Sequence, residues 1–136
     1  IAESIMTMAG LKVPTLCILV GEGGSGGALA IAAGNEVWMM EHSTYAILSP
    51  EGYSAILWKT EGRAEEAAKI MKLTAQDLAE LNIIERIIPE FGGATAATVD
   101  KIAPVMHSAI LDFVKRYDHM SPEDIVQDRY ARFRKF

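Results

Sequence analysis

The chain has 136 residues, 50% of them apolar, and a formal net charge of −5; this is enough for one sizeable core and too little for two ordinary domains, so residues 1–136 are expected to form one domain. The negative balance excludes general nucleic-acid binding, and the single Cys17 excludes an internal disulfide framework and suits a reducing, cytoplasmic setting. No apolar run approaches the ~20 residues of a membrane span and no signal-peptide pattern is present, so a soluble protein is expected.

Ile1, Ile5 and Met8 share one helical face over residues 1–9, and Gly10 ends that helix. Because the helix is already under way at Ile1, which is not Met, an upstream portion is expected to have been removed. Val13-Pro14 forces an extended entry into a strand over residues 15–20, and six residues without polar alternation suit burial on both faces. Residues 21–27 then hold five glycines in seven positions, which predicts a loop, and residues 28–33 predict a short helix closed by Gly34. Val37-Trp-Met-Met40 and Tyr45-Ala-Ile-Leu48 are two closely spaced strands around the polar turn at 41–44.

Ser49-Pro50-Glu51 has the chemistry of a helix start: a capping hydroxyl, proline at the first helical position and an acid in the first turn. That helix leads through Ala55, Ile56, Leu57 and Trp58, and a second runs from Arg63 to Met71. Thr74-Ala-Gln-Asp77 opens another as a capping box, ending near Leu81-Asn82. A last strand is expected over 83–88, stopped by Pro89, followed by a loop over 92–98. Ile102, Val105, Met106, Ala109, Ile110, Phe113 and Val114 fall at helical spacing and predict a long docking helix over 99–117, with Pro104 tolerated if it lies near the first turn. Ser121-Pro122-Glu-Asp124 caps the final helix. Arg129, Arg132, Arg134 and Lys135 make its end basic; solvated cations offsetting the helix dipole are the plain explanation, an anionic partner the alternative.

The glycine-rich stretch follows a strand and precedes a helix. Its amides are unobstructed and the helix start adds partial positive charge, so a developing negative charge can be held there. Three motifs compete for it. Gly21-Glu-Gly23-Gly-Ser-Gly26 fits the dinucleotide fingerprint, with Glu41 where a ribose-binding acid would stand. Against it, Gly26 to Gly34 spans about nine residues, or ~13 Å of helix, which is short for a crossover covering a parallel sheet. Gly23-Gly-Ser25-Gly-Gly27 fits a nucleophile elbow, and Asp77 or Asp100 with His107 or His119 would keep the serine, acid, histidine order of a hydrolase. A phosphate-binding loop would need Lys after Gly26, where Gly27 stands. The plainest role is a turn that lets a helix pack closely on a strand.

Gly21-Glu-Gly-Gly-Ser-Gly-Gly-Ala-Leu-Ala30, Ser43-Thr-Tyr45, Ile47-Leu-Ser-Pro-Glu-Gly52 and Ile56-Leu-Trp-Lys59 together resemble the carboxyltransferase alpha subunit of bacterial acetyl-CoA carboxylase. The likeness continues through Leu81 to Glu90, Gly92-Gly-Ala94, Glu123-Asp-Ile125 and Arg129-Tyr130, in the family's order. It implies the C-terminal part of a crotonase-like carboxyltransferase domain: an α/β spiral of strand-strand-helix turns of the ClpP/crotonase type, with C-terminal helices. It implies transfer of a carboxyl group from carboxybiotin, borne by a biotin carboxyl carrier protein, to acetyl-CoA, giving malonyl-CoA for fatty-acid biosynthesis. By the same resemblance the amides of Gly26 and Gly27 hold the anion left on the biotin ureido group. Gly23, Gly24 and Ser25 shape the loop, and Ser49, Pro50, Glu51 and Gly52 form a neighbouring wall whose simpler role is helix capping. The family places thioester binding and a zinc site on a beta subunit in an alpha2-beta2 assembly, so no metal is expected in this chain. Apolar surface in the N-terminal helix, the Ala55 to Trp58 turn and the Met106 to Val114 helix exceeds what a piece of this size would cover, so part of it is expected to face partners or the missing half, and self-association is expected. The serine hydrolase built on Ser25 and the dinucleotide-binding module built on Gly21–Gly26 remain as alternatives at this stage.

Overall fold

The computed structural model describes residues 1–136. Helix α1 (Ala2–Ala9) ends on Gly10, as its apolar spacing and that glycine predict. Strand β1 (Leu16–Leu19) leads into a second, three-residue strand β2 (Glu22–Gly24), which lies inside the stretch expected to be loop. Helix α2 (Ser25–Ile31) begins at Ser25, three residues earlier than residues 28–33 suggest. Strands β3 (Glu36–Met40) and β4 (Thr44–Ala46) follow, then helices α3 (Pro50–Trp58), α4 (Ala64–Met71) and α5 (Ala75–Glu80). Strand β5 (Arg86–Ile88) is shorter than the expected 83–88 because Asn82 turns back at φ +57 and the amides of Ile83 and Ile84 bond to Leu78 O. Helices α6 (Val99–Tyr117) and α7 (Pro122–Phe133) complete the chain. Pro104 is the sixth residue of α6, one turn deeper than expected, at the cost of one backbone hydrogen bond.

The strands form two ladders. Parallel β1, β3 and β5 make one sheet, in that order, with Cys17 opposite Val37 and Met39 opposite Ile87; β2 and β4 make a second parallel pair. The first two turns of the chain each give one strand to each ladder and then a helix, and β5 begins a third turn in the first ladder, which is the expected spiral. β1 and β3 pair in parallel even though α2 has only seven residues. The shortness of that helix is therefore no obstacle, because β2 makes part of the return; what separates this fold from a doubly wound sheet is the second ladder.

All five residues of β3 are buried, as a central strand covered on both faces requires. Trp38 and Met40 face α6 and α7, with Ile88, Ile102, Ala109, Phe113, Tyr117 and Ile125. Val37 and Met39 face the other way, onto Cys17, Ala32, Ala75, Leu78 and Ile84. Trp38 is fully buried and meets Phe113 edge-on, ring centroids 6.2 Å apart; each such side chain contributes about 1.5–3 kcal/mol through burial.

Arg129 and Arg132 are not the solvated cations their position suggests; they are 1% and 6% exposed. Nη1 of Arg129 donates to the carbonyls of Met8, Ala9 and Leu11, closing the C-terminus of α1, and Nη2 donates to Val13 O, Thr15 Oγ1 and Asn35 Oδ1. Burial draws its pKa down from the usual guanidinium value. Arg132 pairs with Glu85 at 2.7 Å, and Glu85 in turn accepts from the Val37 amide. A planar fork with five donors serves such a hub of carbonyls as no other side chain can. Arg134 and Lys135 alone match the solvated helix end.

Candidate functional site

The glycines divide by what surrounds them. At Gly23 an added Cβ would collide with Leu19 Cδ2, so a larger residue there would require the Leu19 side chain to move aside. At Gly24 and Gly27 a Cβ would meet nothing within 4 Å, and neither residue has a positive φ, so the fold itself asks for glycine at neither. At Gly26 it would touch Ile1 Cδ1 at 3.3 Å. Between them Ser25 has φ +64, a left-handed conformation that non-glycine residues rarely adopt. It makes the sharp corner at which β2 becomes α2.

That corner sets the local electrostatics. Gly24, extended at φ −134 and ψ 154, is the N-cap of α2 and has no side chain to accept from it. The amides of Ser25, Gly26 and Gly27 lie in the first turn, where no intrahelical acceptor exists. Helix α3 starts differently: Ser49 Oγ accepts from the Gly52 amide at 3.1 Å, Pro50 stands at the first position and Glu51 in the first turn.

The two starts share one cleft of about 530 Å³. Glu22, Gly23, Gly24 and Ser25 form one side; Leu48, Ser49, Pro50 and Glu51 form the other, with Thr44, Ala46, Ala68 and Leu73 between. Six of the expected site residues, Gly23, Gly24, Ser25, Ser49, Pro50 and Glu51, therefore meet at one place. Gly26 and Gly27 lie just behind that wall in α2, and Gly52 is turned toward Leu48 and Ser49 Oγ. Glu22 was not singled out in the sequence: an acid between glycines carries no periodic signal, and only the pairing of β2 with β4 turns it to the cleft.

The residues on which the competing motifs depend do not gather at the cleft. Ser25 stands at an elbow, but His42 is hydrogen-bonded to Glu90 at 3.0 Å, and His107 and His119 are exposed on or beside α6. Asp77 is occupied by the Thr74 hydroxyl at 2.8 Å and Lys72 at 3.2 Å. Glu41, the residue a dinucleotide ribose would need, accepts from the Glu90 amide at 2.8 Å. No group of three His, Cys, Asp or Glu side chains could hold a metal ion, and no helix is long and apolar enough to cross a membrane.

Similarity to known proteins agrees with this geometry. Over 136 residues the chain is 46% identical to the acetyl-coenzyme A carboxylase carboxyl transferase subunit alpha of Streptococcus thermophilus and 44% identical to that of Streptococcus pyogenes. All of this chain is covered, and 52% of each relative, so the chain spans about half the length of the curated relatives it matches. Among solved structures it resembles a transcarboxylase 12S (TM-score 0.67, 15% identity, 86% of this chain and 22% of that one). It also resembles a Pseudomonas malonate decarboxylase hetero-tetramer (TM-score 0.65, 16% identity, 98% and 56%) and a probable enoyl-CoA hydratase from Mycobacterium thermoresistibile (TM-score 0.56, 16% identity, 98% and 54%). These likenesses show the fold, the crotonase-like spiral. Residues 1–136 match, end to end, the family described as acetyl co-enzyme A carboxylase carboxyltransferase-like, and the chain belongs to that family.

Proposed function

We propose that this chain forms the carboxybiotin half-site of an acetyl-CoA carboxylase carboxyltransferase, working in the cytoplasm with a beta subunit that binds acetyl-CoA and with a biotin carboxyl carrier protein, in an alpha2-beta2 assembly. The observation that carries this is the uncapped start of α2 at a cleft whose opposite wall, the start of α3, is capped by its own serine.

The residues fit a biotin ring approaching the backbone, since Gly24 and Gly27 leave open space where a side chain would stand. When bound, that ring supplies the carboxyl group and a nitrogen able to take the proton from the acetyl methyl. The chain's own share is electrostatic. The amides of Gly26 and Gly27 are the donors for the ureido oxygen on which negative charge grows, and a preorganised donor of this kind contributes about 3–4 kcal/mol. Gly24 keeps them available: serine, threonine, asparagine or aspartate at an N-cap accepts from the second or third helical amide, and here those belong to Gly26 and Gly27. No protein nucleophile or general base is required, in keeping with an elbow serine that has no histidine beside it.

The test is a chimera. This segment replaces its 46%-identical counterpart in the S. thermophilus alpha subunit, and malonyl-CoA formation is measured with beta subunit and biotinylated carrier. Activity that survives Ser25→Ala and disappears with Gly27→Val is expected. A folded but inactive chimera, or labelling of Ser25 by a fluorophosphonate, would overturn the proposal.

A further inference from the structure

Every ionisable side chain that lines the cleft is an acid: Glu22 on the wall of β2 and Glu51 on that of α3, with no lysine, arginine or histidine among the lining residues. Both are exposed. Neither carboxylate is drawn into an ion pair or hydrogen bond, whereas Glu36, Glu85 and Glu90 are held by Arg116, Arg132 and His42. The strand pattern puts Glu22 in this place. A Cβ on Gly23 would point at Leu19, so Glu22 and Gly24 face the other way, and Thr44 and Ala46, opposite them on β4, complete that face of the cleft.

Unused backbone amides attract phosphate, bicarbonate and chloride alike, and such ions would hold the donors before a substrate arrived. Two free acids and no cation work against that. The cleft's 530 Å³ equals a cube about 8 Å on a side, and charges in physiological salt act across ~8 Å, so an ion inside it stays within reach of a carboxylate. Repulsion grows with the charge of the visitor. A free dianion meets it in full. A ring on a carrier brings a neutral urea oxygen to the amides, keeps its one charge on the carboxyl group, and arrives by tethering at an effective concentration on the order of millimolar. The amides then act on that oxygen by direct hydrogen bonds, while exposed acids acting through solvent oppose the growing charge only weakly.

We propose that Glu22 and Glu51 are specificity-determining residues of the cleft, which turn away small free anions and leave the α2 amides open to a neutral, carrier-borne urea oxygen. This rests on the reading of those amides as donors to the ureido oxygen.

Inorganic phosphate is the probe, titrated at low ionic strength into the chimeric alpha subunit isotope-labelled at its glycine nitrogens, whose amide resonances report binding at the corner. In the parent, millimolar phosphate should leave them unmoved. In the Glu22→Gln, Glu51→Gln double variant they should shift and saturate, with affinity raised at least about tenfold and each single variant lying between. Glu22→Asp keeps the charge and should behave as the parent. So should Asp112→Asn, which removes one charge on α6, outside the cleft lining. With beta subunit and biotinylated carrier, phosphate should raise the apparent KM for the carrier in the double variant, with kcat held, and do neither in the parent. Melting temperatures, expected near the parent's because both acids are exposed, separate lost repulsion from lost folding, and alanine replaces glutamine in any variant that unfolds. Phosphate binding that is equal in parent and double variant, absent from both, or confined to glycines outside residues 21–27 overturns the proposal. The resonances need no turnover: failure of the ureido reading shows as an inactive chimera that still excludes phosphate, and failure of the filter as an active one that does not.

Discussion

Two helices begin at the same cleft, one finished by its own residues and one not. Helix α3 has a serine cap, a proline and an acid, the full set that closes a helix start. Helix α2 has glycine at the cap, a strained serine and two further glycines, a set poor for local stability. The difference teaches which end is structural and which is kept ready for something outside the chain. A start with a capping side chain has spent its donors; one without has them to offer.

The largest effect should come from Gly27→Val. An open Cβ position predicts little change in melting temperature, but obstruction of the donor pair should lower carboxyl transfer by about 100-fold or more, read as malonyl-CoA formed per unit time. If stability collapses along with activity, α2 is a structural element like α3 and the contrast fails. Gly24→Asp sharpens the comparison by giving α2 the cap it lacks. Thermal unfolding should show a gain of a few tenths of a kcal/mol, while transfer falls steeply because the new carboxylate takes the amides for itself. Ser49→Ala does the reverse at the other wall: about 1 kcal/mol of stability should be lost, with transfer reduced only by a looser α3.

The smallest effect concerns pH, at a pair outside the residues that line the cleft. Glu90 holds His42 by a side-chain hydrogen bond and raises its pKa above the usual histidine value. Burial pushes the Glu90 carboxyl up, but hydrogen bonds from the His42 ring and from the amides of His42 and Ala94 outweigh that and hold it down. For His42 the folded-state pKa exceeds the unfolded one, so its contribution is complete below about pH 6.5 and fades as pH rises through the folded value. Unfolding midpoints of parent and His42→Asn should therefore differ most in mild acid and converge toward alkaline pH. The pair is 59% exposed on the histidine side, so the difference should be small.

What could be read in the sequence was local. The side chain that caps each of α3, α5 and α7 lies three residues from the amide it binds, and Ser49, Thr74 and Ser121 all do as expected. Helix α6 runs over 99–117 as its apolar spacing predicts. The cleft's two walls were legible too, through motif chemistry at 23–25 and 49–51. What escaped depends on distant partners. β2 is three residues inside a glycine run, with no pattern of its own, and exists as a strand because Gly23 and Gly24 pair with Tyr45 and Ala46. Packing likewise starts α2 at Ser25, across residues of low helix propensity. Arg129 and Arg132 look solvated in the sequence because nothing within a helical turn of them reveals the distant carbonyls they bind, Leu11 O for Arg129 and Ile83 O for Arg132.

That last arrangement bears on the order of assembly during synthesis. Five of the bonds from Arg129 reach back across 114 to 121 residues, to the end of α1 and the lead into β1. The segment that aims β1 is made long before α7, but its carbonyls find their donor only after α7 has left the ribosome. Contacts of such long sequence separation slow folding and leave early strands unpaired while translation proceeds. Truncation a few residues before Arg129 would thus release α1 and the lead into β1, so in a nascent chain this segment should become protease-resistant only once α7 is complete.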